Sequence, residues 1–343
     1  MLIRSLCRAI GGVAFCVLAC SASGSPHCNT PSSAQSLAAA EQRLGTTDPD
    51  LLAILGPLAA LRFQEAEITE ALALRRRSLK IAVDAFGSDS APAAKAMVAL
   101  ASVYIDLRQY FDAEPLLITA GNVLTDRLGA ADPAIAPVLS GLARTALARG
   151  DKDSARNRVE RAVTIDEESH SEDRSERLRT LGAVLTAEER FDESARVLRQ
   201  AVALDREGTD ELATARSLSQ LANTFLREKR FSDALPLVEE ATAIDQSRLG
   251  ATHPLIADDF YDLGLIYLET KRVPDAQKAL ETAVSLLNRG AGRGTPRVAY
   301  IQLALARAAH EQGRETEAAT LFAEAQRLLN AAEEEGRSRE REI

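Results

Sequence analysis

The stretch AMVALASVYIDLRQYFDAEPLLITAGNVLTDRLG (residues 96–129) decides the fold of this chain. Small and large apolar residues recur at helical spacing on both sides of a short turn near Tyr110. They are Leu100, Ala101 and Tyr104 before the turn and Ala113, Leu117 and Ala120 after it. Residues three or four positions apart share one face of an α-helix. The stretch therefore predicts two amphipathic helices joined by a tight turn.

The same pattern recurs through most of the chain. We take as reference the small residue three places after each turn and call it the anchor. The anchors are Ala66, Ala113, Ala155, Ser194, Ala234, Ala276 and Ala318, at steps of 47, 42, 39, 40, 42 and 42 residues. Alanine follows each of them by seven residues, at Ala73, Ala120, Ala162, Ala201, Ala241, Ala283 and Ala325. A repeat of this length predicts helix pairs that stack around a continuous core.

The residue types at these positions indicate how the helices pack. Leucine stands thirteen residues before six of the anchors, and alanine or glycine follows it. Helices approach to about 8–10 Å where one presents a small side chain and a larger one from its neighbour fills the space. Glycines end several second helices, and prolines begin the next first helices. We therefore predict an all-α fold, a solenoid of about seven antiparallel helix pairs.

Two further stretches carry the repeat clearly, LGAADPAIAPVLSGLARTALARGDKDSARNRVERAV (128–163) and LGATHPLIADDFYDLGLIYLETKRVPDAQKALETAV (249–284). Together with the opening stretch they resemble the tetratricopeptide repeat (TPR), in the long-period form found in kinesin light chains. The resemblance covers residues 49–330, roughly four-fifths of the chain. It implies that the helix pairs form a right-handed superhelical solenoid, that the first helices line its concave face and that partner peptides lie along this face.

The repeat also predicts the limits of the folded region, residues 33–332. The segment 33–44 (SAQSLAAAEQRL) resembles a lone second helix that would cover the first unit. The tail 333–343 (EEEGRSREREI) is charged, has no apolar stripe and is expected to fray. Residues 25–32 are expected to form a linker.

The first 24 residues have the pattern of a signal peptide. Arg4 and Arg8 supply positive charge, and residues 10–19 (IGGVAFCVLA) form an uncharged apolar run. This run is too short to span a bilayer, which takes about 20 residues, and it matches the core of an export signal. We therefore expect an exported protein. The competing interpretation is the buried N-terminus of a cytosolic protein, which the adjacent glycines within this run disfavour.

Two processing sites compete. Cleavage after Ala22 or Gly24 would release a periplasmic protein. A lipobox at residues 17–20 (VLAC) would instead be cleaved before Cys20, and lipidation there would give an outer-membrane lipoprotein. Once the signal is removed, Cys28 is the only thiol certain to remain, which excludes a disulfide framework.

Composition limits the classes of partner and chemistry. The formal net charge is −9, which argues against a general nucleic-acid binder because such proteins carry basic surfaces. The four histidines are scattered, and His253 lies in a Thr-His-Pro junction that the repeat explains. No glycine-rich phosphate loop, nucleophile motif or metal-spaced cluster occurs in the sequence. We predict no catalytic residues, no metal and no cofactor, and therefore no enzyme.

Alignment on the anchors predicts a partner-binding set on the concave face. Its members are Arg144, Arg179, Arg216, Asn223, Tyr261, Tyr300 and Arg307. Guanidinium groups bind carboxylates in a bidentate fork, so these arginines favour an extended acidic segment of a protein partner. In the alternative, they are solvated or paired with Glu176, Asp258 and Asp262 on neighbouring helices.

The resulting hypothesis is an exported, non-catalytic scaffold for protein–protein interactions at the bacterial envelope. The alternative function is a regulatory or assembly subunit of an envelope enzyme or secretion complex. No nucleic acid is expected as a partner, and contact with a membrane is expected only through a lipid on Cys20. A third possibility, an enzyme with a site in the groove, has no motif to support it.

Overall fold

The structure, a computed structural model, describes residues 33–169, 171, 173–289 and 296–341. In this part of the chain there are fifteen α-helices, two short 3-10 helices and no β-strand. The predicted all-α solenoid is confirmed. The predicted signal peptide and linker, with Cys20 and Cys28, lie outside the described residues.

Seven antiparallel helix pairs follow a single N-terminal helix, α1 (Ser33–Leu44). The first helices are α2 (Leu52–Gln64), α4 (Ala91–Asp106), α6 (Ile135–Ala148), α8 (Arg174–Ala187), α10 (Glu211–Arg227), α12 (Ala257–Glu269) and α14 (Pro296–Glu311). The second helices are α3 (Ile68–Phe86), α5 (Tyr110–Leu128), α7 (Lys152–Ser169), α9 (Phe191–Glu207), α11 (Phe231–Leu249), α13 (Val273–Arg289) and α15 (Glu315–Arg341). The 3-10 helices, Pro49–Leu51 and Pro254–Ile256, precede α2 and α12. We number the pairs as units 1 to 7.

The helices form two layers. From α4 onward, each first helix contacts the next first helix as well as its own partner. No such series of contacts joins the second helices in the described part of the chain. In a curved stack, the layer whose members touch is the one with the shorter radius. The first helices therefore line the inner face of the right-handed superhelix, and the second helices form the outer face.

The turns inside the units correct one sequence assignment. Each turn has one residue with positive φ: Ala66, Arg108, Gly150, Glu189, Lys229, Lys271 and Gly313. In units 2 to 7 the anchor lies five residues later, so the anchor of unit 1 is Ala71 and not Ala66. Ala71 is fully buried, whereas Ala73, predicted to be a packing position, is exposed. The true step to the second anchor is 42 residues, and Leu58 with Ala59 completes the leucine–alanine pair in unit 1.

Small residues on the first helices meet large ones on the second helices, as predicted. A Cβ placed on Gly182 of α8 would lie 2.5 Å from Leu198 Cγ of α9. A Cβ on Gly264 of α12 would meet Leu280 Cγ at the same distance. Both leucines are fully buried. Glycine thus sets the closest approach of the two helices in units 4 and 6.

The two ends of the repeat region differ. Helix α1 packs Leu37 and Ala40 against Leu51 and Leu55 of unit 1, which confirms that it covers this unit. Helix α15 continues through Arg341, so the backbone is helical in the tail expected to fray. None of the described helices combines the length and apolar content that a membrane span requires.

Candidate partner-binding surface and polar junctions

All seven predicted binding residues lie on first helices, and therefore in the inner layer. Tyr300 is 53% exposed, whereas Asn223 and Tyr261 are half-buried. Burial raises the pKa of the Tyr261 hydroxyl, and the nearby Asp262 raises it further. The tyrosine at this position is therefore neutral and can donate a hydrogen bond.

The exposed arginines are paired with carboxylates of the same chain. Arg144 Nη2 lies 3.1 Å from Asp106 Oδ1 of the preceding first helix. Arg307 Nη1 lies 2.5 Å from Glu269 Oε1, again one unit back.

The alternative interpretation, that these arginines pair with carboxylates of the same chain, agrees with the structure. The carboxylates involved are not the ones named from the sequence. Arg216 Nη2 lies 3.3 Å from Asp210 Oδ2 on its own unit. Glu176 pairs with Arg177, and Asp258 pairs with Arg297. These two acids were expected to pair with the arginines of the predicted set. Burial alone would raise the pKa of Glu176, but the neighbouring guanidinium groups more than offset this and lower its pKa.

Arg179 has a different environment from the other arginines. Its side chain is only 15% exposed, and its Nη1 lies 3.0 Å from Asp205 Oδ2 and 3.2 Å from Ser217 Oγ. Ser217 also donates a hydrogen bond of 2.5 Å to the same carboxylate oxygen. Arg179 was predicted to be an open groove cation. It instead neutralises a buried aspartate between units 4 and 5.

This buried aspartate belongs to a series that the sequence prediction missed. On each second helix, the position of interest lies eleven residues after the anchor of its unit. It faces a position on the first helix of the next unit, which lies seventeen residues before the anchor of that next unit. We call this pair of positions the junction slot. From unit 1 to unit 7 the slots hold Ala82 and Ala96, Leu124 and Val138, Asp166 and Arg177, Asp205 and Ser217, Asp245 and Asp259, and Leu287 and Ile301. The outer slots are apolar, and the three middle slots are polar.

The slot between units 3 and 4 holds a buried ion pair. Arg177 Nε lies 3.4 Å from Asp166 Oδ2, and each side chain is 2% exposed. Arg177 Nη1 also lies 2.9 Å from Glu176 Oε2. Burial raises the pKa of Asp166, and the positive charge of Arg177 opposes this. Such pairs lose much of their hydration, which their mutual attraction only partly repays.

The slot between units 5 and 6 holds two carboxyl groups. Asp259 is 4% exposed, and its Oδ1 accepts a 3.2 Å hydrogen bond from Ser219 Oγ. Its Oδ2 has no hydrogen-bond donor. Burial, with the nearby Asp245, raises the pKa of Asp259 to about 8. Three residues further along the same helix, burial and Asp258 raise the pKa of Asp262 to about 8 as well.

Nothing in the described residues resembles a metal centre. No group of three or more His, Cys, Asp or Glu side chains there is arranged to hold a metal ion. His253 is buried, and its Nδ1 accepts a 3.1 Å hydrogen bond from the backbone N–H of Leu255 at the start of a 3-10 helix. This is the structural role expected for it.

Two family models match the chain. The MalT-like TPR region matches residues 136–336, and a tetratricopeptide-repeat model matches residues 92–168. The first covers more than half of the sequence. The chain belongs to the TPR family. TPR proteins are in general non-catalytic scaffolds for protein–protein interaction. No curated protein matches this TPR chain.

Solved structures similar to this TPR protein have low sequence identity to it. A kinesin-light-chain repeat protein from Podosopora anserina is 22% identical and covers 58% of this chain and 97% of its own, with a TM-score of 0.42. Aspartyl phosphate phosphatase F from Bacillus subtilis is 12% identical over 85% of this chain and 73% of its own, with a TM-score of 0.56. A Rap protein complexed with Competence and Sporulation Factor is 10% identical over 82% of this chain and 76% of its own, with a TM-score of 0.62.

Proposed function

We propose that this TPR protein is an exported, non-catalytic scaffold that binds partner proteins along the inner face of its first helices, at the bacterial envelope. One observation carries the proposal. On that face Arg144, Arg216 and Arg307 keep 36%, 57% and 42% of their side-chain surface exposed, although each of them makes an ion pair. The repeat does not need these side chains for packing, so they are free to vary with the partner.

The proposed partner segment is acidic and extended. A guanidinium group has five N–H donors, and Arg144 and Arg216 each use Nη2 for their carboxylate. The remaining donors can bind a carboxylate of the partner in a bidentate fork. The Rap protein complexed with Competence and Sporulation Factor supports the broader idea that a solenoid of this fold binds a partner.

The absence of catalysis is part of the same proposal. The phosphatase among the similar structures is only 12% identical, so the similarity concerns the fold and not the reaction. Asp259 is buried between units 5 and 6, and Asp245 is half-buried facing it. They are therefore placed for packing, not for acid–base chemistry on a ligand.

Charge reversal on the inner face tests the binding site. We expect Arg144, Arg216 and Arg307 changed together to glutamate to abolish capture of partners from envelope extracts, because like charges would repel an acidic segment. Capture is measured by affinity purification and quantitative mass spectrometry, together with binding to a peptide array of graded charge. The matched control reverses three exposed arginines of second helices, Arg161, Arg206 and Arg248. Equal capture by the two triple variants would contradict the proposal.

Export and anchoring are tested on the full-length protein in cells. We expect the mature N-terminus to follow residue 22 or 24 and the protein to be released with the periplasmic fraction. The lipoprotein alternative predicts that the wild-type protein is labelled by palmitate and found in the membrane fraction. In Cys20→Ala the label should be lost and the protein should leave the membrane fraction. An intact N-terminus found in the cytosolic fraction would contradict export.

A further inference from the structure

The slot between units 5 and 6 is the one polar slot in the described chain with no cation between its two residues. The slot between units 3 and 4 pairs Asp166 with an arginine, and the slot between units 4 and 5 contains Arg179 beside Asp205. Asp245 and Asp259 instead place two carboxyl groups where the next slot along the chain holds Leu287 and Ile301. Asp259 is buried and Asp245 is half-buried, so two ionised carboxylates facing each other here repel each other more strongly than they would in water.

The charged groups of the adjoining helices do not neutralise this pair. From α10, Arg216 acts on Asp245 but forms its own ion pair with Asp210. Ser219, also on α10, is neutral. On α12, Asp258 binds Arg297 of unit 7. Among the residues that the structure describes, no cation is left to neutralise the two facing carboxyl groups, and a proton can take that role.

On α12 itself, Asp262 adds a further carboxyl group near the pair. Its nearest charges are Asp258 on the same helix and Arg108 from the turn of unit 2. Its own pKa is raised to about 8, so once ionised its carboxylate repels that of Asp259 and supplies no counterion.

We propose that Asp245 and Asp259 form a proton-dependent latch between units 5 and 6. In the closed state, one proton is shared as a carboxylic acid O–H that donates to the facing carboxylate. When the proton leaves to solvent hydroxide, both groups are ionised, and their repulsion separates α11 from α12. The curvature of the inner face changes at this junction. This inference concerns the conformation of the solenoid and holds whether or not the inner face binds an acidic segment.

The direction of the pH dependence follows from proton linkage. The pKa of Asp259 is raised in the folded protein from 3.8 to about 8, so the folded junction retains a proton that the opened junction releases. The stabilisation of the closed latch is complete below pH 3.8, the ordinary pKa of the carboxyl group, and it is lost as the pH rises through about 8, the pKa in the folded protein. Each pH unit in this interval can change the opening equilibrium by up to about tenfold.

Hydrogen–deuterium exchange of the full-length protein at pH 6 and pH 9, corrected for intrinsic exchange rates, tests the latch. We expect peptides of α11 and α12 to lose at least about tenfold protection at pH 9, while α4 and α5 do not change. Asp259→Asn, which keeps a neutral group of the same shape, should remove this pH dependence, and Asp245→Asn should do the same. The control Asp258→Asn, and Asp262→Asn on the inner face, should retain it.

A second readout separates the shared proton from a purely structural role. Infrared titration should show the carbonyl stretch of a protonated carboxyl group at pH 6 that disappears by pH 9. Asp262 contributes to the same band, because its pKa is also raised to about 8, so the titration is made in an Asp262→Asn background. In that background the band should be missing once Asp259→Asn is added. Equal protection of α11 and α12 at the two pH values in the wild type would overturn the latch. So would an unchanged pH dependence in both asparagine variants, or an infrared band that survives when Asp259→Asn is combined with Asp262→Asn.

Discussion

Replacing Arg177 with alanine should lower the free energy of unfolding by about 3–5 kcal/mol. The substitution leaves the Asp166 side chain, which is 2% exposed, enclosed between units 3 and 4 without its cation. Burial already raises the pKa of this group, and the loss of Arg177 raises it further, so the variant should be least stable at alkaline pH. Urea unfolding followed by circular dichroism measures the effect at pH 6 and pH 9.

The chain itself supplies the control for this prediction. The double variant Asp166→Leu with Arg177→Val installs the pair that the preceding slot already has, Leu124 with Val138, which lie in one hydrophobic cluster. We expect it to equal the wild type or to exceed it by about 1–4 kcal/mol, because no charge is left buried. A double variant as unstable as the single one would show that the slot contributes packing and not electrostatics.

Gly182→Val should be the second severe change, with a loss of about 3 kcal/mol. The new Cβ would lie 2.5 Å from Leu198 Cγ and 2.6 Å from its Cδ2, so α8 and α9 must separate or Leu198 must leave its fully buried position. Thermal unfolding measures the loss. Gly56→Ala in α2 is the control, because its Cβ would meet only Arg75 Nη1, at 3.7 Å, and alanine favours a helix by about 0.5–1 kcal/mol.

A compensating change makes the explanation by close packing specific. Leu198→Ala alone creates a cavity and should cost about 2–5 kcal/mol. Combined with Gly182→Val, it should recover part of the loss, because the valine occupies the space that the leucine leaves. Strictly additive losses would contradict this account, since residues in contact are expected to couple.

The fold could be predicted because its packing positions recur in one register. The error in unit 1 has a simple physical cause. Ala66 and Ala73 are seven residues apart and imitate the true pair, Ala71 and Ser78, which lies five residues later. The turn at Ala66 contains no glycine, although the residue has a φ of 63°. Four correctly placed turns also lack glycine at this position, so the spacing of the two alanines, rather than the turn residue, produced the wrong register.

The candidate site was predicted only in part. The face of the helices was correct, but the partners of the arginines were not, because those contacts join helices of different units whose side-chain directions the sequence does not give. The polar junction slots did leave a signal. Asp166, Asp205 and Asp245 all lie eleven residues after their anchors, where the neighbouring units carry leucine. Comparing the repeats at every position, and not only at the apolar ones, would have found them.

Site-specific photo-crosslinking in cells tests the central claim, that the inner face binds the partner. A benzophenone amino acid replaces Tyr300 on α14 or Phe111 on α5, two aromatic residues with similar exposures of 53% and 47% on opposite layers. The account predicts defined protein adducts from position 300 and none from position 111. Adducts from position 111 alone would place the partner on the outer face and contradict it.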